Sequence, residues 1–260
     1  MTYDLLTTLL ISCPLLFLAG FIDSAAGGGG LISITAYMAA GLPPHNAVAT
    51  NKVTMSFGTG LASYKFIRSG NVLLGVAIFS AIGALLGASV GTSLALLISE
   101  KLLKIILLAV LPPIAIFLSV KKSFGSEATQ PRDFSRFMTC LLSFAIGLVI
   151  GCYDGLIGPG TGTFLIIAFS AILRIDLLTA SGCAKVSNLA SGISSAILYI
   201  INGKVVWLVA LPTVVFCMAG SSLGSRYAIK GGSKNVRKVM FVVLGLLFIK
   251  IILDLFGITF

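Results

Sequence analysis

Four ionisable residues stand in or beside strongly apolar sequence, as two like pairs: Asp23 with Asp154, and Lys52 with Lys185. A charge at the centre of a membrane helix costs roughly 2.5–3.5 kcal/mol on insertion scales, so each needs a partner or a task. Lys52 heads a stripe of Ser56, Thr59 and Ser63 at helical spacing, and Lys185 heads one of Asn188, Gly192 and Ser195. Thr50, Asn51 and Ser187 add donors close by. Two cations with hydroxyl and amide donors describe a pocket for a small oxyanion. The plainer reading of Lys52 lays its stem along lipid and leaves the ammonium at the outer surface. Asp23 and Asp154 read either as caps on a broken helix or as protonatable groups that couple transport to a proton gradient.

Each aspartate is followed by glycines. "DSAAGGGG" carries Gly27, Gly28, Gly29 and Gly30, and "DGLIGPGTG" carries Gly158, Gly160 and Gly162. Glycine costs roughly 1 kcal/mol relative to alanine inside a helix, so these stretches form something a plain helix cannot. A broken helix exposes free N–H groups at its new N-terminus, and the dipole there favours an anion. Paired, Gly-interrupted short segments are the sequence pointer to a transporter's binding site. The candidate substrate-binding residues are therefore Gly27, Gly28, Gly29, Gly30, Thr50, Asn51, Lys52, Gly158, Gly160, Gly162, Lys185 and Asn188. Asp23 and Asp154 are the candidates for proton coupling. The structural alternative for the glycines is a tight turn between two helices.

The elements that hold these residues repeat. Asp154 follows Asp23 by 154 − 23 = 131 residues; from Lys52 to Lys185 the offset is 185 − 52 = 133 and holds nearly to the end. "GNV" at Gly70 then matches "GKV" at Gly203, and "GASVG" at Gly87 matches "GSSLG" at Gly220. This is a duplication, with repeats over 1–120 and 137–260 joined by a basic linker, 121–136. Each half reads as five apolar segments: 5–22, 30–41, 45–66, 71–98 and 102–120, then 137–153, 161–173, 177–201, 204–228 and 236–256. The second segment of each set is short for a span, which needs about 20 residues.

With 57% hydrophobic and only 10% charged residues, and a mean hydropathy of +1.09, the chain is an all-α polytopic membrane protein. Loop charge decides how the halves sit. If all five segments change sides, Lys65, Arg68, Lys121, Lys122, Arg132, Arg136, Arg174, Lys230, Lys234, Arg237 and Lys238 share one face, against Lys101, Lys104 and Lys204 on the other. If the short segment does not, the same charges split evenly. The positive-inside rule selects the first model. It predicts two inverted five-segment repeats, Gly-rich broken or short helices at the midplane, the linker in the cytoplasm and both termini outside. "MTYD" before the first segment lacks the basic flank of a secretory signal.

Other features read as structure. Gly83, Gly87 and Gly91, Gly147 and Gly151, and Gly220 and Gly224 have GxxxG spacing, which suits close helix packing or a homodimer. The five cysteines show no CxxC spacing and are taken as packing residues, so no cofactor or metal is expected. His45, the single histidine, is placed in a solvated turn. Lys250 and Arg226, unrepeated and near segment ends, read as interfacial. The net charge of +10 belongs to topology, not to nucleic acid.

The pattern "GFIDSAAGGGG…GLPPHNAVATNK", with "GPGTG" and "ASGCAK" in the second half, resembles the sulfite exporter family of membrane proteins (TauE/SafE) from about Leu5 to Gly257. That resemblance implies a secondary transporter of the bacterial or archaeal inner membrane that exports sulfite, sulfoacetate or another small sulfur-containing anion. The family's glycine motifs fall on Gly27–Gly30 and on Gly158, Gly160 and Gly162; its Ala-Thr-x-Lys-like segments fall on Thr50–Lys52 and Gly182–Lys185. Pro159 and Thr161 interrupt the second glycine run, so the half-sites need not be equivalent. An anion channel or an ion-coupled importer would use the same materials. An intramembrane enzyme is disfavoured by eight acidic residues, one histidine and the lack of HExxH or GxSxG; ATP-driven pumping is disfavoured by the lack of a Walker motif.

Overall fold

The computed structural model describes residues 4–103, 105 and 134–255, those from 242 onward by backbone alone. Most of the predicted segment 102–120, nearly all of the linker 121–136, and the side chain of Lys250 lie outside the described residues. Every element assigned within them is helical.

Helix α1 (Leu5–Ala26) starts where the Asp4 carboxylate accepts the Thr7 N–H at 3.1 Å. It runs through Asp23 and stops at Gly27, whose φ of 80° leaves the helical region. Gly28, at φ 89°, then opens α2 (Gly29–Ala39). Pro43 and Pro44 start α3 (Pro44–Arg68), as proline suits a first helical turn. α4 (Leu74–Leu97) completes the described part of the first half. In the second half Ser135 caps α5 (Arg136–Leu156), Gly160 opens α6 (Thr161–Ile172) and Asp176 caps α7 (Leu177–Ile201). The two last predicted segments are two helices that meet at Gly232, where φ 61° and ψ −157° leave the helical region; together they are α8 (Trp207–Leu255).

Helices α1, α4, α5, α7 and the first part of α8 are long and apolar enough to cross a membrane. Helix α3 has the length, 25 residues, but its polar stripe keeps it out of that set. Helices α2 and α6 have 11 and 12 residues. At 1.5 Å per residue they reach about 16–18 Å, roughly half a hydrocarbon core. Helix α2 doubles back along α1: the Thr8 hydroxyl donates to Ala40 O at 3.1 Å, and Gly29 lies against Asp23 near the other end.

Packing between the halves runs through glycines, since lipid supplies no hydrophobic drive between helices. A Cβ on Gly87 would come within 2.7 Å of Cys152 N, and one on Gly91 within 2.8 Å of Leu156 N; Gly220 and Gly224 would each meet α1 backbone, at Phe17 and Phe21, at 2.8 Å. These contacts are exchanged copies of one another. Gly220 on Phe17 corresponds to Gly87 on Leu148, because 220 − 87 = 133 and 148 − 17 = 131; Gly224 on Phe21 likewise corresponds to Gly91 on Cys152. The contact register rises together in both pairs, so α1 runs parallel to α8 and α4 parallel to α5.

Polar contacts tie the helix ends together. At one end the Asn46 side chain donates to Lys204 O at 2.8 Å, and Val206 N donates to the Thr50 hydroxyl at 3.1 Å. His45 is there too. It is buried, with Nε2 2.9 Å from Ile98 O, and not in the solvated turn that the sequence suggests, because the two prolines start α3 early enough to press its first turn on the end of α4. At the opposite end Leu178 N donates to Ser233 Oγ at 3.2 Å, and Lys65 reaches Ser222 O at 2.9 Å.

Candidate functional site

The last turns of α1 and α5 carry Asp23 and Asp154, and each faces a lysine from the other repeat. Lys185 of α7 places Nζ 3.3 Å from Asp23 Oδ2 and also donates to Asp23 O. Lys52 of α3 places Nζ 2.9 Å from Asp154 Oδ2 and also donates to Asp154 O. Both pairs are buried. Each ammonium thus sits at the carbonyl end of a broken helix, where the dipole favours a cation. The sequence leaves the four charges unpaired; the structure joins them crosswise, and their formal sum is zero.

Hydroxyls complete each carboxylate. Thr59 donates to Asp23 Oδ2 at 3.3 Å, and Thr161 donates to Asp154 Oδ1 at 2.8 Å. Asp154 Oδ2 has the Lys52 ammonium at 2.9 Å and no hydrogen bond besides it among the described residues. Ser33 donates to Asn51 Oδ1, which fixes that amide beside the start of α2.

The two glycine breaks touch. A Cβ on Gly162 would come within 2.9 Å of Gly27 Cα, and one on Gly27, already at positive φ, within 2.5 Å of Gly162 C. Gly158 leaves room for Lys52: a Cβ there would lie 3.2 Å from Nζ. Between the breaks lies a cleft walled by Lys52, Met55, Ser56 and Thr59 of α3, and by Asn188 and Gly192 of α7. Asp23, Asp154, Asn51, Gly28, Gly30, Gly158, Gly160, Thr161 and Gly162 close it. The starts of α2 and α6 border it; there Leu31 N donates to Gly28 O at 3.2 Å and Thr161 N to Gly158 O at 3.3 Å, and the other first-turn N–H groups have no helical acceptor.

The structure therefore brings Gly28, Gly30, Asn51, Lys52, Gly158, Gly160, Gly162 and Asn188 to one cleft with Asp23 and Asp154. It does not bring the others there. Gly27 and Gly29 pack behind on Gly162 and Asp23, Thr50 serves Val206 N, and Lys185 is wholly buried behind Asp23. Of the two stripes, Ser63 turns into the core and Ser195 accepts from Thr92 at 2.8 Å. Sequence reasoning missed Met55 and Thr161. Met55 is one helical turn from Lys52 but apolar in type; Thr161 follows the αL residue Gly160, the place where glycine stands in the first half.

A family profile described as "Sulfite exporter TauE/SafE" matches residues 12–251. The chain is 35% identical over 242 residues to "Probable membrane transporter protein ORF9" of Sinorhizobium sp, covering 92% of this chain and 90% of the relative. It is 34% identical to "Probable membrane transporter protein YfcA" of Escherichia coli (strain K12), covering 92% and 88%. It is 31% identical to a "Probable membrane transporter protein" of Haemophilus influenzae, covering 92% of each. No solved structure matches the chain.

Proposed function

The chain belongs to the sulfite exporter TauE/SafE family, and from that premise we propose that it is a secondary transporter moving a small oxyanion out of a bacterial or archaeal cell. The family's description names sulfite, and the resemblance adds an organosulfonate such as sulfoacetate as the other candidate. One observation carries the reading of the site: two glycine-broken helix pairs, one from each repeat, meet at a single cleft with Lys52 and Asn51 in its wall. Free N–H groups at the starts of α2 and α6, the Asn51 and Asn188 amides and the Lys52 ammonium form an oxyanion's donor set. The aspartates are the groups at which that transport would couple to protons.

The halves, in this reading, are inverted. Helix α1 starts at the Lys204 end and is parallel to α8, whereas α5 is parallel to α4, which starts at the opposite end near Asn71. Hairpins α1–α2 and α5–α6 then enter from opposite faces and stop at the midplane, the broken-helix arrangement of transporters. Lys65, Arg68, Arg136, Arg174, Lys230, Lys234, Arg237 and Lys238 all belong to one end, which the positive-inside rule makes cytoplasmic.

Purified protein titrated with sulfite, sulfate, thiosulfate, sulfoacetate, acetate and chloride tests the site by thermal shift. Stabilisation by a sulfur oxyanion, reduced in Asn188→Leu and Asn51→Leu, is the expected result. Binding by no anion, or equal binding by the variants, would remove the site. Flux into proteoliposomes that never saturates would turn the transporter into a channel.

A further inference from the structure

The two ion pairs are equivalent in sequence and unequal in space. Lys52 and Asp154 both line the cleft, whereas Lys185 is fully buried behind Asp23. Asp23 Oδ2 receives both Lys185 and the Thr59 hydroxyl. Asp154 Oδ2 has the Lys52 ammonium and no hydrogen bond besides, among the described residues. An anion that enters the cleft meets a cation already spoken for.

We infer that the anion and a proton bind together: the anion draws the Lys52 ammonium away from Asp154, and a proton from the buffered bulk solution goes onto Asp154 Oδ2. The inference rests on the anion site proposed above. An ammonium shared between two anions would leave one of them short of charge in a buried place, and a buried carboxylate that loses its partner is the costly member. It would also stand beside the incoming anion, a like charge. Protonation removes both penalties and lets the new hydroxyl donate to the anion. Thr161, through Oδ1, holds the carboxyl in place while this happens.

No neighbouring group takes that proton more simply. Among the described residues, the charged or titratable groups around Asp154 are Lys52 on α3, Tyr153 on α5 and Tyr199 on α7, with Asp23 across the cleft and Lys185 behind it. Both tyrosines are already protonated at neutral pH, and Asp23 keeps its own ammonium. The second pair is then a fixed tie between the repeats, and only the first is exchangeable.

Calorimetric titration of purified protein with sulfoacetate near neutral pH, where the ligand stays ionised, gives the proton count from two buffers of different ionisation enthalpy. About one proton is taken up per anion in the wild type, and none in Asp154→Asn. An infrared difference spectrum of the wild type on adding sulfoacetate should gain the band of a protonated carboxyl, a readout that needs no variant. Anion binding without proton uptake, or without that band, overturns the inference and leaves the anion site standing. Uptake that survives Asp154→Asn but vanishes in Asp23→Asn overturns it in favour of the other pair. If the wild type binds no sulfoacetate, sulfite or thiosulfate, the anion site itself fails and the inference with it.

Discussion

The Lys52 ammonium lies 2.9 Å from Asp154 Oδ2, across the boundary between two repeats of one chain. Helix α3 of the first half is thereby fastened to the tip of the α5–α6 hairpin of the second, and Lys185 with Asp23 does the converse. Because the contacts are crossed, neither repeat can satisfy its own charges. The cleft, its charge balance and the association of the halves are one structure.

That dependence can be measured. Lys52→Met leaves Asp154 buried without a partner, a change that costs about 3–5 kcal/mol in comparable pairs, whereas removing both charges is often close to neutral. Lys52→Met should therefore lower the melting temperature in detergent strongly, and Lys52→Met/Asp154→Asn should recover most of the loss. A double variant no more stable than the single one would mean that the pair does not hold the halves together.

The glycines differ in what they do, and alanine separates them. Gly27 has φ 80° and a Cβ there would lie 2.5 Å from Gly162 C, so Gly27→Ala suffers both strain and a backbone clash. That conformation, φ 80° with ψ 176°, is essentially reserved for glycine and costs another residue about 1–3 kcal/mol. Gly30 has ordinary helical φ, and a Cβ there would meet Pro159 Cα at 3.7 Å, an ordinary contact that faces the cleft. Gly27→Ala should lose folded protein by size-exclusion chromatography, while Gly30→Ala should fold and bind anions more weakly. Wild-type binding by Gly30→Ala would exclude the start of α2 from the site.

Packing glycines give the sharpest contrast. Gly87 sits against the α5 backbone, with Cys152 N 2.7 Å from where a Cβ would lie, but Gly75 on the same helix has nothing within 4 Å. Gly87→Leu should abolish folded protein, since neither backbone can withdraw, and Gly75→Leu should leave expression and melting temperature unchanged. Equal expression of the two would show that α4 and α5 do not pack as described.

Much of this was legible in the chain because duplication writes each signal twice. The paired offsets located Asp23 with Asp154 and Lys52 with Lys185, and the glycine runs marked the breaks. Two things were hidden. Composition treats a lysine and an aspartate 102 or 162 residues apart as separate charges, and only the crossed packing of the halves makes them partners. The symmetry also misled: Lys185 matches Lys52 in sequence, yet it is shut behind Asp23, and Thr161 enters the cleft where the first repeat has a glycine. His45 went wrong for a local reason, since "GLPPH" reads as a turn until Pro44 is seen to begin the helix.

Orientation is the remaining prediction, and the described charges make it definite. Lys230 and Lys234 lie at the end that also holds Lys65 and Arg68, whereas Lys204 lies at the opposite end beside Asn46. Cytoplasmic loops carry the excess of Lys and Arg. A cysteine at Lys234, which is exposed, should react with a membrane-impermeant maleimide only in inside-out vesicles; one at Lys204 should react in intact cells. The native thiols do not obscure the result, because Cys13, Cys183 and Cys217 are buried and the parent protein supplies the baseline for Cys140 and Cys152. Labelling of Lys234→Cys from outside would reverse the orientation.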